Sequence, residues 1–415
     1  MLLEHVLRRL IKSGNLAMTD HKGREHRFGD GNGPLVHIHF KTASAARAVA
    51  LDPDLHLGEC YTDGSLAMKV GTIYDFLALA MINTSDGRPA NVHRLMSGMR
   101  ILLRRLSQHN PVGKARRNVA HHYDLSGKLY DLFLDVDRQY SCAYFETPDS
   151  TLEDAQLAKK RHLAAKLGIK SGMKILDIGS GWGGLGLYLA EICGAEVTGV
   201  TLSEEQHKLS NERASQRGLQ DLVRFQLKDY RHLDQQFDRI VSVGMFEHVG
   251  VGHFPEFFEK TSHLLKDDGV ALLHSINRSD GPGATSAWIK KYIFPGGYIP
   301  ALSEVIPHME KHGLYVTDVE ILRLHYAETL RHWARRFADN RDKAQAIYDE
   351  RFCRMWECYL AGSECAFRYG GMNNFQIQFG KNQHVLPVTR DYILGEEQRM
   401  KGLERKSPRL KSVAR

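Results

Sequence analysis

Apolar positions near the start of the chain recur at helical spacing. Leu2, Leu3, Val6, Leu7 and Leu10 share one side of an amphipathic helix. Glu4, Arg8, Arg9 and Lys12 interrupt the same stretch, so it reads as a surface helix and not as a secretory leader. Turns such as GDGNG (29–33), the alternating run LVHIHF (35–40) and the helical run TIYDFLALAMI (72–82) describe a small α+β region. SDGRPAN (85–91) and HNPVGKARRN (109–118) flank a further helix and mark a linker.

The pattern changes near residue 119. Helical segments alternate with the β-rich runs MKILDIG, AEVTGVTLS, VRFQLKD, FDRIVSVGM, GVALLHSI, YVTDVEIL and NFQIQFGK. Strands interleaved with helices of about 10–15 residues predict βαβ units and a mostly parallel sheet covered on both faces. Residues 280–313 interrupt the alternation and read as an inserted cap. The expected fold is α/β, a doubly wound, Rossmann-like sheet preceded by a smaller α+β domain. The expected division is 1–108, a linker at 109–118, a main domain at 119–395 and a basic tail at 396–415.

Length and charge adjust this picture. At 415 residues the chain exceeds one ordinary core. No apolar run approaches the ~18 residues of a bilayer-crossing helix. The six cysteines form no CxxC pair, which favours reduced thiols in a cytoplasmic protein over a disulfide frame or zinc site. The net charge of +7 is concentrated in seven basic residues between Arg94 and Arg117 and six between Lys401 and Arg415. Such stretches suit an anionic lipid surface or nucleic acid, or are simply solvated, as is expected of the tail. In the cap, Trp288, Ile289, Tyr292, Ile293 and Phe294 beside Lys290 and Lys291 have the composition of a membrane-facing surface or of an internal lid.

The strongest local motif is ILDIGSGWGGLGLYLA (175–190). A buried strand runs into Gly179, Gly181, Gly183 and Gly184 and then into a helix, a turn that brings a ligand against backbone and free N–H donors. Asp177 precedes the glycines at the place where adenosylmethionine enzymes carry an acid for the amino-acid end of that molecule. The second strand ends in Thr201-Leu202-Ser203 with Gln206 beyond. An acid for a dinucleotide ribose is missing there, so Thr201 and Gln206 must supply neutral hydrogen bonds.

Further segments occur in order: HHYDLSGKLYDLFLD, QYSCAYF (139–145), GMFEHVG (244–250), LLHSI (272–276), KKYIFPGGYIP (290–300), LHYAETLRHW (324–333) and GSECAFR (362–368). Together with LDIGSGWGG and TLSEEQ these resemble the cyclopropane-fatty-acyl-phospholipid synthase family, including the mycolic-acid cyclopropane synthases. The resemblance spans about 119–390, and GECYTDGSL (58–66) extends it toward the N-terminus. Ser180 stands where many members have Cys. The resemblance implies that Tyr140 and Ser141 meet the methionine end of S-adenosyl-L-methionine beside Gly179 and Gly181. It implies that Thr201, Leu202 and Gln206 hold ribose and adenine, with Asp229 or Tyr230 over the adenine. It also implies a bicarbonate pocket of Cys142, Glu247, His274, Tyr326 and the Ile276 backbone, and marks Cys365 as a further position proposed to be catalytic.

The chemistry explains such a set. An isolated cis alkene is a weak nucleophile, so alignment against the methyl donor dominates catalysis. The carbocation that follows must lose a proton from the new methyl group to close the ring, which requires a base in a dry cavity. His274, Tyr326 and Cys142 can donate to a small anion, and Glu247 must take a proton or accept the anion's O–H. Tyr140, Tyr144, Phe246, Tyr292 and Phe294 are candidates for stabilising the cation. The expected partner is an unsaturated phospholipid at the inner face of the cytoplasmic membrane, with no nucleic acid, and a homodimer is a family-level expectation. Competing readings keep the fold but yield a methyl-branched, methylene or hydroxy product, methylate RNA or protein nitrogen, or bind lipid without catalysis.

Overall fold

The computed structural model describes residues 2–84 and 126–407, so the basic stretch from Arg94 to Arg117, the linker, His121, His122 and the last eight residues lie outside the described residues. From the N-terminus the elements are α1 (Leu2–Leu10), β1 (Asn15–Thr19), β2 (Glu25–Phe28), β3 (Leu35–Phe40), α2 (Ala43–Leu51), α3 (Pro53–Asp63), β4 (Leu66–Val70) and α4 (Ile73–Ile82). After the undescribed stretch come α5 (Gly127–Tyr130), α6 (Leu152–Leu167), β5 (Lys174–Ile178), α7 (Gly184–Cys193), β6 (Glu196–Thr201), α8 (Glu204–Gln216), β7 (Val223–Leu227) and β8 (Phe237–Val243). The chain continues through α9 (Phe254–Leu264), β9 (Leu265–Arg278), α10 (Ala287–Tyr292), α11 (Leu302–Lys311), β10 (Tyr315–Ile321) and α12 (His325–Asp339). It ends in α13 (Arg341–Ile347), α14 (Glu350–Tyr369), β11 (Met372–Gly380) and α15 (Asp391–Glu404).

These elements form two compact units. Of the described residues, one unit takes 2–84, 284–295 and 330–372, and the other takes 126–283, 296–329 and 373–407. The units thus interleave along the chain, whereas the sequence reading drew a single boundary near 109–118.

In the first unit, four strands in the order β2-β1-β3-β4 carry an apolar face of Leu16, Met18, Ile38, Phe40 and Leu66. Leu3 and Leu7 of α1 and Ala361 of α14 close the same core. Helix α4 starts on a capping box, in which Thr72 and Asp75 satisfy each other's backbone N–H groups. Helix α10 is tied down by acids of α3. Asp54 accepts from the Ala287 amide at 2.9 Å, and Glu59 accepts from Lys291 at 2.7 Å and from Tyr292 at 2.8 Å. Trp288 and Ile293 are buried. Of the cap's apolar-basic set, Trp288, Ile293, Lys291 and Tyr292 are thus engaged inside this unit, while Lys290 and Lys291 remain exposed. The other part of the cap, α11, belongs to the second unit, where Val305 and Met309 pack on the sheet.

In the second unit the seven β-rich runs form one sheet in the order β10-β11-β9-β8-β5-β6-β7. Strands β5 to β9 are parallel, and β10 pairs antiparallel with β11. The fold is therefore α/β with a mixed sheet. Apolar clusters fill both faces, one built with α6, α7 and α15, the other with α9 and α11. Strand order reverses between β5 and β8, and a doubly wound sheet binds ligands at the C-terminal edge of that reversal.

Candidate active site

The β5–α7 turn sits at this reversal and lines a cavity. Gly179 (φ +84°) and Gly181 (φ +54°) adopt the left-handed conformation. A side chain on Gly179 would meet Cβ of Met245 at 2.7 Å, whereas one on Gly181 would meet nothing within 4 Å. The first glycine therefore permits packing and the second leaves ligand space. Asp177 is buried, and its Oδ2 has no hydrogen-bond partner. Burial pushes this carboxyl up to about 7, opposed by the nearby Lys159.

The expected cofactor residues converge here: Tyr140, Ser141, Asp177, Gly179 and Gly181 line the cavity, as do Thr201, Leu202, Gln206, Asp229 and Tyr230. The Thr201 hydroxyl donates to Gln206 Oε1 at 2.8 Å, and Ser203 caps α8 through the Gln206 amide. Asp229 is ion-paired with Arg231 through both oxygens, at 3.0 and 2.8 Å, which holds it below the usual carboxylate range despite burial. An orphaned acid, an open glycine and neutral hydroxyl and amide groups fit the ammonium, backbone-facing and ribose parts of adenosylmethionine.

The deprotonation set is only partly brought together. Glu247 lies in a short 3-10 turn after β8, and its Oε1 accepts the Ile276 amide at 2.6 Å. Its Oε2 is buried without a partner, and burial raises the pKa against the lowering bonds from Ile276 and Ser275. His274 on β9 is buried and held neutral, pushed down to about 3 by desolvation and by the charge of Lys159. Its Nδ1 lies 3.2 Å from Nε2 of Gln376, and its Nε2 lies 3.5 Å from Nδ2 of Asn374. Cys142 is buried, and desolvation raises its pKa. The adjacent Ala143 amide donates to Thr329 Oγ1 at 3.0 Å, one helical turn from Tyr326 on α12. Cys142, Glu247, His274 and Tyr326 are not among the cavity-lining residues; Ser141 beside Cys142 and His248 beside Glu247 are, whereas no chain neighbour of His274 or Tyr326 is.

Cys365 belongs to the other unit, where its thiol donates to the Tyr74 carbonyl at 3.8 Å and burial pushes it up to about 12. The aromatic candidates are also redistributed. Tyr140 lines the cavity, Tyr144 is stacked against His162 and His325 at 4.3 and 4.9 Å, and Phe246 is enclosed by Phe254, Phe257 and Phe258. Tyr292 and Phe294 lie in the first unit.

Sequence reasoning passed over Lys159, Gln139 and Arg231 and left His248 as a helix-capping residue; all four line the cavity. His248 is pushed down to about 4 by burial. The available signal was the unbroken KKRH in a helix otherwise rich in Ala and Leu.

The family described as mycolic acid cyclopropane synthetase matches residues 111–377. The chain belongs to this family. It is an adenosylmethionine-dependent methyltransferase by that membership. A cyclopropane-fatty-acyl-phospholipid synthase of Escherichia coli K12 is 36% identical over 354 residues, 85% of this chain and 90% of that one. A probable fatty acid methyltransferase of Pseudomonas putida is 43% identical over 285 residues, 66% of this chain and 72% of that one. A tuberculostearic acid methyltransferase of Mycobacterium tuberculosis is 36% identical and covers 89% of each chain. Among solved structures, the cyclopropane synthase MmaA2 from Mycobacterium tuberculosis aligns with a TM-score of 0.61 and 34% identity, covering 65% of this chain and 99% of that one.

Proposed function

We propose that the protein transfers a methylene unit from S-adenosyl-L-methionine to the cis double bond of an unsaturated phospholipid acyl chain, forming a cyclopropane ring, at the inner face of the cytoplasmic membrane. The observation that carries the reading is Glu247. One of its oxygens is fixed by the Ile276 amide, and the other is buried and unpartnered beside the cavity.

Adenosylmethionine, when bound, supplies a methyl group activated by a sulfonium. Gly181 leaves space for it, Thr201 and Gln206 would hold its hydroxyl and base with neutral groups, and Asp177 would hold its amino-acid end. Transfer to the alkene leaves a cation on the acyl chain, and a proton must then leave the new methyl carbon. Cys142, Glu247, His274, Tyr326 and the Ile276 backbone are the residues that would hold bicarbonate as the base. Glu247 Oε2, kept in a medium that disfavours its charge, can accept the anion's O–H or carry a proton itself. His274 has a single N–H when neutral, and the Gln376 and Asn374 amides orient its ring. Cys365, a buried thiol in the other unit, acts in packing and not as a nucleophile.

A second reading, in which the cation is quenched without ring closure, is kept because two relatives are named as fatty acid or tuberculostearic acid methyltransferases and not as cyclopropane synthases. Replacing Glu247 by Gln is expected to lower turnover about 100-fold or more, the usual worth of a positioned acid or base, while S-adenosylhomocysteine binding measured by calorimetry persists. Removing bicarbonate from the buffer is expected to slow the wild type reversibly and to leave the Gln variant unchanged. Normal ring formation by that variant would exclude the pocket.

A further inference from the structure

Lys159 lies on α6 and is only 1% exposed, yet it lines the cavity. Its ammonium donates to Gln139 Oε1 at 2.7 Å and to Ser141 Oγ at 2.8 Å. An ammonium carries three donors, so two are spent on positioning and one remains. Gln139 and Ser141 are themselves cavity residues, and Gln139 follows Arg138, whose φ of +52° is anchored by a two-bond ion pair with Asp131. The segment is thus turned and pinned so that Lys159 reaches the cavity without entering solvent. On the same cavity wall stands Asp177, with Oδ2 buried and unpartnered. A buried cation with a spare donor and a buried acid with a spare acceptor, facing one cavity, are complementary to a zwitterion.

We propose that Lys159 is a carboxylate-recognition residue: its remaining N–H donates to the α-carboxylate of the bound amino-acid moiety, while Asp177 accepts from the α-ammonium. This rests on the cavity being the adenosylmethionine site and adds to that reading a second pole. It also gives this buried lysine, which has the charges of Asp135 and Asp137 nearby, a partner for its remaining N–H. Leaving it there uncompensated is costly, and the ligand's negative end completes its coordination. Desolvation pulls this ammonium down to about 7, against the nearby charges of Asp135 and Asp137. Gln139 and Ser141 are positioning residues for the amine.

The test is a ligand-by-variant cycle read by calorimetry. S-adenosylhomocysteine, its decarboxylated amine analogue and 5′-methylthioadenosine are titrated into wild type and Lys159→Met. The variant should bind S-adenosylhomocysteine about 30-fold or more weakly, as expected for truncating one partner of a buried charge pair. The two ligands without a carboxylate should bind both proteins alike, which also certifies that the variant is folded. If the variant weakens all three equally, or none, the assignment is wrong. The wild type alone gives a second reading: decarboxylation must cost affinity there, and equal binding of the two thioethers refutes the proposal even if the variant does not fold. Failure of the cofactor reading itself has a different signature, namely no binding of any of the three by wild type.

Discussion

At the scale of single residues, space and charge around the β5–α7 turn decide what each position tolerates. Gly179 and Gly181 look equivalent in sequence but differ in what lies beyond them. Gly179→Ala drives a methyl group into Met245 and is expected to lower the unfolding temperature. Gly181→Val meets only open cavity, so beyond the roughly 1–2 kcal/mol of a left-handed L residue its main effect is loss of S-adenosylhomocysteine binding. Calorimetry alongside thermal unfolding separates the two. Ligand affinity should also depend on pH from both sides. Asp177 is raised to about 7, so below that the empty site holds a proton that an incoming ammonium must displace, and affinity falls as pH drops. Lys159 is lowered to about 7, so above that the amine must take up a proton to meet a carboxylate, and affinity falls as pH rises. Titrations in buffers of different ionisation enthalpy are expected to show a maximum near neutrality with opposite proton linkage on its two sides.

At the scale of elements, α6 shows where sequence patterning stops being informative. It carries Lys159, Lys160, Arg161 and Lys166, yet residues 158–167 are all buried. Lys160 pairs with Asp137, Arg161 with Glu146 and Glu404, His162 with Glu320 and Glu397, and Lys166 with Glu320 and Asp318. These acids lie up to 243 positions away, on β10 and α15 among other elements. No local pattern announces them. The same pairs reach the start of the basic tail: α15 is a packed helix, with Met400 buried and Glu404 bonded to Arg161 at 2.6 Å and to Tyr188 at 2.6 Å, while Arg405 and Lys406 are exposed and residues 408–415 lie outside the described residues. Glu404→Ala is expected to destabilise the protein by about 3–5 kcal/mol, the penalty for stranding a buried partner, read as a shift in the denaturant midpoint that salt barely changes. The strands were far more legible, since apolar runs alternating with helical segments point to a mostly parallel sheet. Within β11, however, Asn374, Gln376 and Gln378 are all buried. Alternation there sorts apolar from polar partners rather than core from solvent, and the amides that face His274 were invisible until that strand was placed next to β9.

At the scale of the whole molecule, the glycine turn and the ordered motifs disclosed the cavity proposed for the cofactor, because its residues lie within short segments at strand ends. The composition of the units was not legible, because it is set by contacts between distant stretches. Helix α14 is the clearest case: Tyr61 donates to Glu357 at 3.1 Å and Cys365 donates to the Tyr74 carbonyl, so α14 is built into the core of residues 2–84. Expressing the chain without residues 1–84 should therefore strip α14 of its apolar cover and give aggregated protein in sedimentation. A soluble, folded remainder would show that the first unit is dispensable to that helix. The proposed activity needs an acid-base set that outlasts methyl transfer, and the identity of the product reports on that set directly. The decisive measurement is incubation of the protein with isotopically labelled adenosylmethionine and vesicles of unsaturated phospholipid, followed by mass spectrometry and NMR of the recovered acyl chains. The expected result is label in a cyclopropane ring with the double bond lost. Label in a methyl branch, a methylene or a hydroxylated chain, or none in lipid, would contradict it.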